Sequence, residues 1–302
     1  MTGGGGRSRA VKGGAYALGL AALLVTACGH RDRVVVGAKN FTESDLLAEI
    51  VGQQIERRTH LRVERRFHLG GTFVCHEAIT SGRIDLYVEY TGTAYTAVLR
   101  RPPPPIAAPE SVYAAVASDY AQRFGLLWGR PFGFDNTFAI TVRRRDAERY
   151  ALRSISDLAR VAPRWKAGFG YEFLERADGF QGLARAYGLA FAAPPTAMDL
   201  GLTYRALADG KVDVIAGNST DGQIDALNLV ALEDDRHYFL PYEAAPVMRA
   251  DLLRRHPAIG PALDELAGRI SDAEMRRLNA EADVRHRDIA TVAREWLHAN
   301  LP

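Results

Sequence analysis

Two stretches of this chain carry the same pattern. Gly82-Arg83-Ile84-Asp85-Leu86-Tyr87-Val88-Glu89-Tyr90-Thr91 and Gly210-Lys211-Val212-Asp213-Val214-Ile215-Ala216-Gly217-Asn218-Ser219 each close a helix on glycine, cross a buried strand and emit polar residues at its carboxyl end. Glycine suits a helix C-terminus because the left-handed backbone there costs it nothing. A chain that does this twice is expected to build two similar α/β halves. Ligands of open α/β sheets bind outside the carboxyl ends of the strands. Two such halves facing each other would make a cleft, with Tyr90 and Asn218 at equivalent places. A glycine, a basic residue, a β-branched residue and Asp also make a common helix-to-strand turn, so the repeat alone leaves both readings open.

The remaining pattern agrees with alternating strands and helices, hence a parallel α/β architecture. Val34-Val35-Val36 reads as a buried strand, Gly37 to Thr42 as a turn, and Leu46, Leu47, Ile50, Val51 and Ile55 fall at helical spacing. Leu61, Val63 and Phe67 alternate along a second strand, a helix runs to Ser81-Gly82, and Ile84 to Tyr90 supplies a third strand. Pro102 to Pro105 favour an extended linker. Beyond them, Phe138 to Val142, Ala167 to Phe169 and Val212 to Ala216 read as strands, and Ser156-Asp157-Leu158 as a helix start. From Pro261 to Leu301 the pattern is helical.

The amino terminus reads as an address. Arg7, Arg9 and Lys12 precede an apolar run from Ala15 to Ala27 that reaches Cys28 through Val25-Thr26-Ala27, the form of a secretory signal ending in a lipobox. The run is shorter than the roughly 20 residues a membrane-spanning helix needs. Residues 1–27 are therefore expected to be a lipoprotein signal peptide, Cys28 the lipidated residue, and 28–33 a tether holding a soluble domain to a membrane face in the periplasm or at the cell surface. Cys75 is then the one remaining thiol, so no intramolecular disulfide is expected and the core must carry the fold. A hydrophobic content of 47% over 302 residues suffices, and the length suggests two domains. A formal charge of +2 gives no reason to expect a nucleic-acid partner.

Signatures of catalysis are poor. His76-Glu77 begins a zinc-protease-like pair without a second His at helical spacing, so a surface or capping role is expected. No nucleophile elbow, phosphate loop or dinucleotide fingerprint occurs in a suitable context. Ser219 and Thr220 have no His placed to activate them, and capping a helix with Asp221 is their plainer role. No cofactor or metal is expected. Aromatic residues at strand and loop ends say more: Tyr90, Phe138, Tyr171 and Tyr242. A quaternary ammonium has no N–H to donate and is held instead by aromatic faces, at about 0.5–2 kcal/mol per ring. Any one such residue is more often core than cage.

Six motifs in order carry a resemblance: Lys39-Asn40-Phe41-Thr42-Glu43, Leu69-Gly70-Gly71-Thr72, Glu89-Tyr90-Thr91-Gly92-Thr93, Asp135-Asn136-Thr137-Phe138, Ser219-Thr220-Asp221-Gly222 and Leu240-Pro241-Tyr242-Glu243-Ala244-Ala245-Pro246. Together they resemble the substrate-binding proteins of glycine betaine, carnitine and choline ABC importers, from about Val34 to the C-terminus. The resemblance implies a type II periplasmic-binding-protein fold, two α/β lobes with a ligand cleft between them and two crossover strands near Phe138 and Tyr242. Lobe I is expected to comprise 34–139 and 243–302, and lobe II 140–242.

The same resemblance implies an aromatic cage of Tyr90, Phe138 and Tyr242 around a trimethylammonium group. Phe138 stands where relatives commonly carry Tyr. Asn218 also stands at a commonly aromatic position and offers an amide in place of a ring, a loss on the order of 1 kcal/mol for a bare betaine unless Tyr171, Phe173 or a bulkier ligand fills the gap. Lys39, Thr93 and Arg176 would meet a ligand carboxylate, which argues for a zwitterion over choline, and Asn218 for a larger betaine such as carnitine or ergothioneine. The implied partners are this small ligand and an ABC transporter permease, and a monomer is the default. The rival readings are a ligand-sensing receptor-type protein of the same fold and, further off, an extracytoplasmic enzyme using Ser219.

Overall fold

The computed structural model describes residues 1–4, 33–102 and 107–301. The signal sequence, Cys28 and most of the proline run lie outside the described residues. The chain divides into two compact units, Met1–Arg33 and Val34–Pro302, and the second carries the fold that follows.

Among the described residues, ten strands form two five-stranded sheets of the same plan. The first contains β1 (Arg33–Gly37), β2 (Arg62–Arg66), β3 (Leu86–Tyr90), β4 (Leu126–Trp128) and β10 (Ala244–Arg249), in the order β2-β1-β3-β10-β4. The second contains β5 (Phe138–Arg143), β6 (Ala167–Gly170), β7 (Thr196–Met198), β8 (Val214–Asn218) and β9 (Leu229–Ala231), in the order β7-β6-β8-β5-β9. In each, the strand of the repeat runs parallel to its predecessor, β3 to β1 and β8 to β6. On its other side each repeat strand pairs antiparallel with a strand that has crossed from the other sheet, β10 against β3 and β5 against β8. The two crossing segments touch at an antiparallel bridge between Asp135 and Glu243.

The repeated sequence does the same physical work in both places. Gly82 and Gly210 adopt φ of +75° and +72° after their helices. The N–H groups of Arg83 and Ile84 then turn back onto the Ala78 carbonyl, and those of Lys211 and Val212 onto that of Ala206. Those residues still belong to the helix-closing turn, so the strands begin at Leu86 and Val214, two residues later than the apolar pattern suggests. Each repeat Asp then ties its strand to the preceding one: Asp85 Oδ2 accepts the Val35 N–H at 2.8 Å, and Asp213 Oδ2 accepts that of Lys166 at 3.0 Å.

Helix α1 (Thr42–Arg58) shows how the first core forms. Leu46, Leu47, Ile50, Val51 and Ile55 line one face and are all buried, each contributing about 1.5–3 kcal/mol on removal from water. Glu43 and Asp45 in its first turn and Arg57 and Arg58 in its last complement the helix dipole. Against α1 pack the C-terminal helices Ile259–Asp264, Asp272–Asp283 and Ile289–Asn300, through Leu263, Met275, Leu278, Val292, Trp296 and Leu297. A second core gathers Ile140, Val142, Phe169, Phe173, Leu183 and Val214 around the other sheet. Phe67, expected inside the second strand, lies one residue beyond β2 and is 41% exposed. Among the described residues no helix is long and apolar enough to cross a membrane.

Candidate ligand-binding site

A cavity of about 70 Å3 lies where the carboxyl ends of the repeat strands and their parallel neighbours face one another. β1 runs into Lys39, Asn40 and Phe41; β3 ends on Tyr90 and leads to Thr93; β6 leads into Glu172, Phe173 and Arg176; β8 ends on Asn218. The crossing segments add Asn136, Phe138 and Tyr242. All seven residues singled out from sequence, Lys39, Tyr90, Thr93, Phe138, Arg176, Asn218 and Tyr242, line this one space. Sheet register accounts for part of this, since Phe138 and Asn218 are directly paired across β5 and β8. Tyr171, a candidate to replace the ring missing at 218, is 60% exposed and outside the cavity wall, because it opens a helix whose next turn carries Glu172 and Phe173 inward. Phe173 does line the cavity.

The rings meet at angles suited to a cage. Phe138 and Tyr242 stand 5.9 Å apart between centroids with planes at 72°, and Phe173 lies 4.8 Å from Phe138. Cations of the protein already occupy π faces here: Arg176 Cζ is 5.1 Å from the Phe138 centroid and 5.9 Å from that of Tyr242, and Lys39 Nζ is 5.1 Å from that of Tyr90. The faces of these rings thus attract positive charge, here the protein's own.

Both basic residues are neutralised from within. Lys39 Nζ donates to Glu89 Oε1 at 2.5 Å and to Thr72 Oγ1 at 2.9 Å. Arg176 forks onto Asp178, Nε to Oδ1 at 2.8 Å and Nη2 to Oδ2 at 2.5 Å, and donates Nη1 to Thr93 Oγ1 at 3.0 Å and to Glu172 Oε1 at 3.3 Å. Burial opposes the guanidinium charge, but Asp178 and Glu172 outweigh it and hold the Arg176 pKa above its ordinary value. Burial likewise disfavours the Asp178 carboxylate, which Arg176 more than offsets, leaving its pKa lowered. The Tyr242 hydroxyl donates to the same Asp178 oxygen at 2.6 Å. Lys39 and Arg176 thus reach the cavity with anionic partners in place, and their presence alone does not require a ligand carboxylate.

A second network fixes Tyr90. The wholly buried Glu43 carboxylate accepts from Tyr90 Oη, Asn136 Nδ2 and Asn279 Nδ2, each at 2.7 Å, and from Thr220 Oγ1 at 2.5 Å. Burial raises its pKa, and the four donors pull the other way. Asn136, 7% exposed, spends its amide N–H on Glu43 while its buried Oδ1 has no protein partner. Thr220 is thereby a cross-lobe tie and does not cap a helix; Ser219 Oγ bonds the Asp135 carbonyl, and Asp221 receives the Asn218 N–H and the Tyr204 hydroxyl. His76 packs edge-on against Phe124 at 4.6 Å, so its ring serves packing and not the surface. Among the described residues no group of His, Cys, Asp and Glu could hold a metal ion.

The sequence signals passed over Phe41, Thr72, Asn136 and Glu172 as liners although the first three stand inside the motifs and Glu172 lies between Tyr171 and Phe173. The missing signal was positional: each follows the end of a strand or lies on a crossing segment.

The family model for the substrate binding domain of ABC-type glycine betaine transport systems matches residues 32–299. The carnitine transport binding protein OpuCC of Listeria monocytogenes (serotype 1/2a, strain 10403S) is 36% identical over 272 residues, 89% of this chain and 87% of that protein. The ergothioneine transport permease/ergothioneine binding protein EgtU of Helicobacter pylori (strain G27) is 33% identical over 265 residues, 87% of this chain but 47% of that longer protein. A crystal structure described as a glycine betaine/carnitine/choline ABC transporter superposes with a TM-score of 0.72 at 34% identity, covering 88% of this chain and 98% of that one.

Proposed function

Because the chain belongs to the family of substrate binding domains of ABC-type glycine betaine transport systems, with a type II periplasmic-binding-protein fold, we propose that it captures a quaternary-ammonium compound outside the cytoplasm and hands it to an ABC permease. The observation that carries this is the convergence of the Tyr90, Phe138 and Tyr242 rings on one buried cavity whose faces attract cations. A trimethylammonium group cannot hydrogen-bond, so an aromatic box that offers π faces at several angles recognises it where amides and carboxylates alone would not.

In this reading Tyr90, Phe138 and Tyr242 hold the ammonium head, Phe173 closes the wall beside Asn218, and Lys39, Thr93 and Arg176 shape the polar end. Asn218 and the unpartnered Asn136 Oδ1 favour a ligand with a hydroxyl or ring N–H beyond its head group. Residues 34–139 with 243–302 form one lobe and 140–242 the other. The lobes close on the ligand and present the closed form to the permease as a monomer. Cys28 carries the lipid that keeps the protein at the membrane, after cleavage of residues 1–27. The protein acts as a binder and not as an enzyme.

Thermal shift of the purified protein against choline, carnitine, glycine betaine, ergothioneine, amino acids and sugars tests the assignment. Ligand that binds only the folded state raises the melting temperature by mass action. Shifts confined to the quaternary-ammonium compounds support the reading; shifts confined to amino acids or sugars, or none at all, overturn it. Mass spectrometry of the protein from membranes checks the anchor: a diacyl adduct on an amino-terminal Cys28 is expected, and an unmodified or uncleaved terminus contradicts it.

A further inference from the structure

Two donors converge at one point of the cleft, with a second cation beside them. The donors are the backbone N–H of Thr72 at the start of helix α2 (Thr72–Thr80) and the Arg176 guanidinium; the second cation is Lys39, whose Nζ donates to the Thr72 hydroxyl at 2.9 Å. Such a helix start with two cations beside it is a seat for an anion. Here the seat is taken by the protein. Glu172 of the second lobe places Oε2 3.1 Å from the Thr72 nitrogen and Oε1 3.3 Å from Arg176 Nη1. Gly71, the residue before α2, has no side-chain cap, and Glu172 caps the helix across the cleft instead. The fit depends on glycine: a Cβ at position 71 would stand 2.5 Å from Glu172 Oε2. Burial alone would raise the Glu172 carboxyl, yet Lys39, Arg176 and the Thr72 N–H hold it below the usual range.

Resting on the quaternary-ammonium reading above, we infer that Glu172 is a specificity-determining residue: an internal carboxylate that fills the anion seat of the cleft and makes the site discriminate by ligand charge. With Glu172 seated, the lining charges of Lys39, Arg176 and Glu172 are joined by Glu89 and Asp178 directly behind them. Two cations then face three anions. A ligand bearing only its ammonium charge balances that set and leaves Glu172 in place. A ligand carboxylate directed at the same donors meets Glu172 as a like charge at close range, and must displace it or give up those donors.

The test is calorimetric titration of choline, glycine betaine and carnitine into the wild type and the variants Glu172→Gln, Glu172→Asp and Gly71→Ala. Glu172→Gln removes the competing charge, and the affinity of glycine betaine and carnitine relative to choline is expected to rise about tenfold or more. Gly71→Ala keeps every charge but pushes the carboxylate from its seat, so the same ratio should move in the same direction. Its backbone at φ −73° accepts alanine without strain. Glu172→Asp keeps the charge and should hold the ratio nearer the wild-type value than Glu172→Gln does. A ratio within twofold of wild type in folded Glu172→Gln overturns the inference while leaving the ligand class intact. Wild type that binds none of the three overturns both.

Discussion

At the scale of single residues, the cage should respond to loss of a π face and not merely to loss of bulk. Phe138→Leu keeps an apolar side chain beside Phe173 and Tyr242 but removes the ring, and affinity for the quaternary-ammonium ligand is expected to fall about 2- to 30-fold. Calorimetry on the folded variant reads this directly. Asp221 allows a second check, through pH. Its carboxyl is pushed by burial from 3.8 up to about 7, although it accepts the Tyr204 hydroxyl and the Asn218 N–H. Between those two values the folded state holds a proton that the unfolded state has lost. The group's contribution to stability is therefore complete below pH 3.8 and declines as pH rises toward 7. Asp221→Asn keeps an oxygen for both donors and removes the titration. Urea midpoints at pH 4.5 and pH 8 should thus differ less in the variant than in the wild type, with the variant gaining at pH 8. These residues were unevenly legible in sequence. The seven cage and polar-end candidates all reached the cavity because motif ends coincide with strand ends. The anionic partner of Lys39 was not foreseen, because Glu89 lies 50 positions away and only the pairing of β1 with β3 brings them together; the partners of Arg176, Asp178 and Glu172, are local in sequence and were passed over because it was matched to a ligand carboxylate instead.

At the scale of elements, the helix-glycine-strand repeat is the unit from which each lobe is made. Asp85 and Asp213 each accept the N–H of a residue in or beside the neighbouring strand, and Asp213 also accepts from the buried Arg143 guanidinium at 2.5 Å, so its copy is expected to matter more. Replacing either by Ala leaves that donor without its partner, at about 1–3 kcal/mol. The two sites share no partner, so the double variant should lose roughly the sum. Urea denaturation of the two single variants and the double variant checks this; a double variant no less stable than either single one would contradict it. The strands of the repeat were legible from their apolar runs. Their starts were misplaced by two residues because the turn-back of Arg83-Ile84 and Lys211-Val212 onto a helix carbonyl extends the apolar pattern into the turn. The small strands β4, β7 and β9 escaped notice, since three residues at a sheet edge carry too little periodicity to stand out.

At the scale of the whole molecule, two sheets of identical strand order exchange one strand each, and this exchange places both crossing segments in the floor of the cleft. Residues beyond the strand ends join the two halves: Thr72 to Glu172, Thr93 to Arg176, and Glu43 to Thr220; in the proposed function these bonds are the ties of the closed form. Thr220 does not line the cavity and bonds the Glu43 oxygen opposite the one that holds Tyr90, so breaking this tie should weaken ligand binding mainly through the closed state. Thr220→Val removes a hydrogen bond to the buried Glu43 and is expected to lower affinity about 5- to 150-fold, by 1–3 kcal/mol. X-ray scattering should show the variant less compact at sub-saturating ligand than the wild type; equal compaction and affinity would mean that the tie plays no part in closure. The pairing of the lobes was foreseeable from the repeat and the family resemblance, whereas these ties were not, because they join residues up to 177 positions apart.

Recognition of positive charge by the rings is measured by comparing each quaternary-ammonium ligand with its neutral-headed carbon isostere, in which a tert-butyl group replaces trimethylammonium. Shape and apolar area are nearly unchanged, so the difference in dissociation constant isolates the interaction of charge with the cage. Three contributing rings at about 0.5–2 kcal/mol each lead to an expected loss of at least tenfold for the isostere. Equal affinity for both would show that the cleft reads only bulk, and would contradict recognition of the cation.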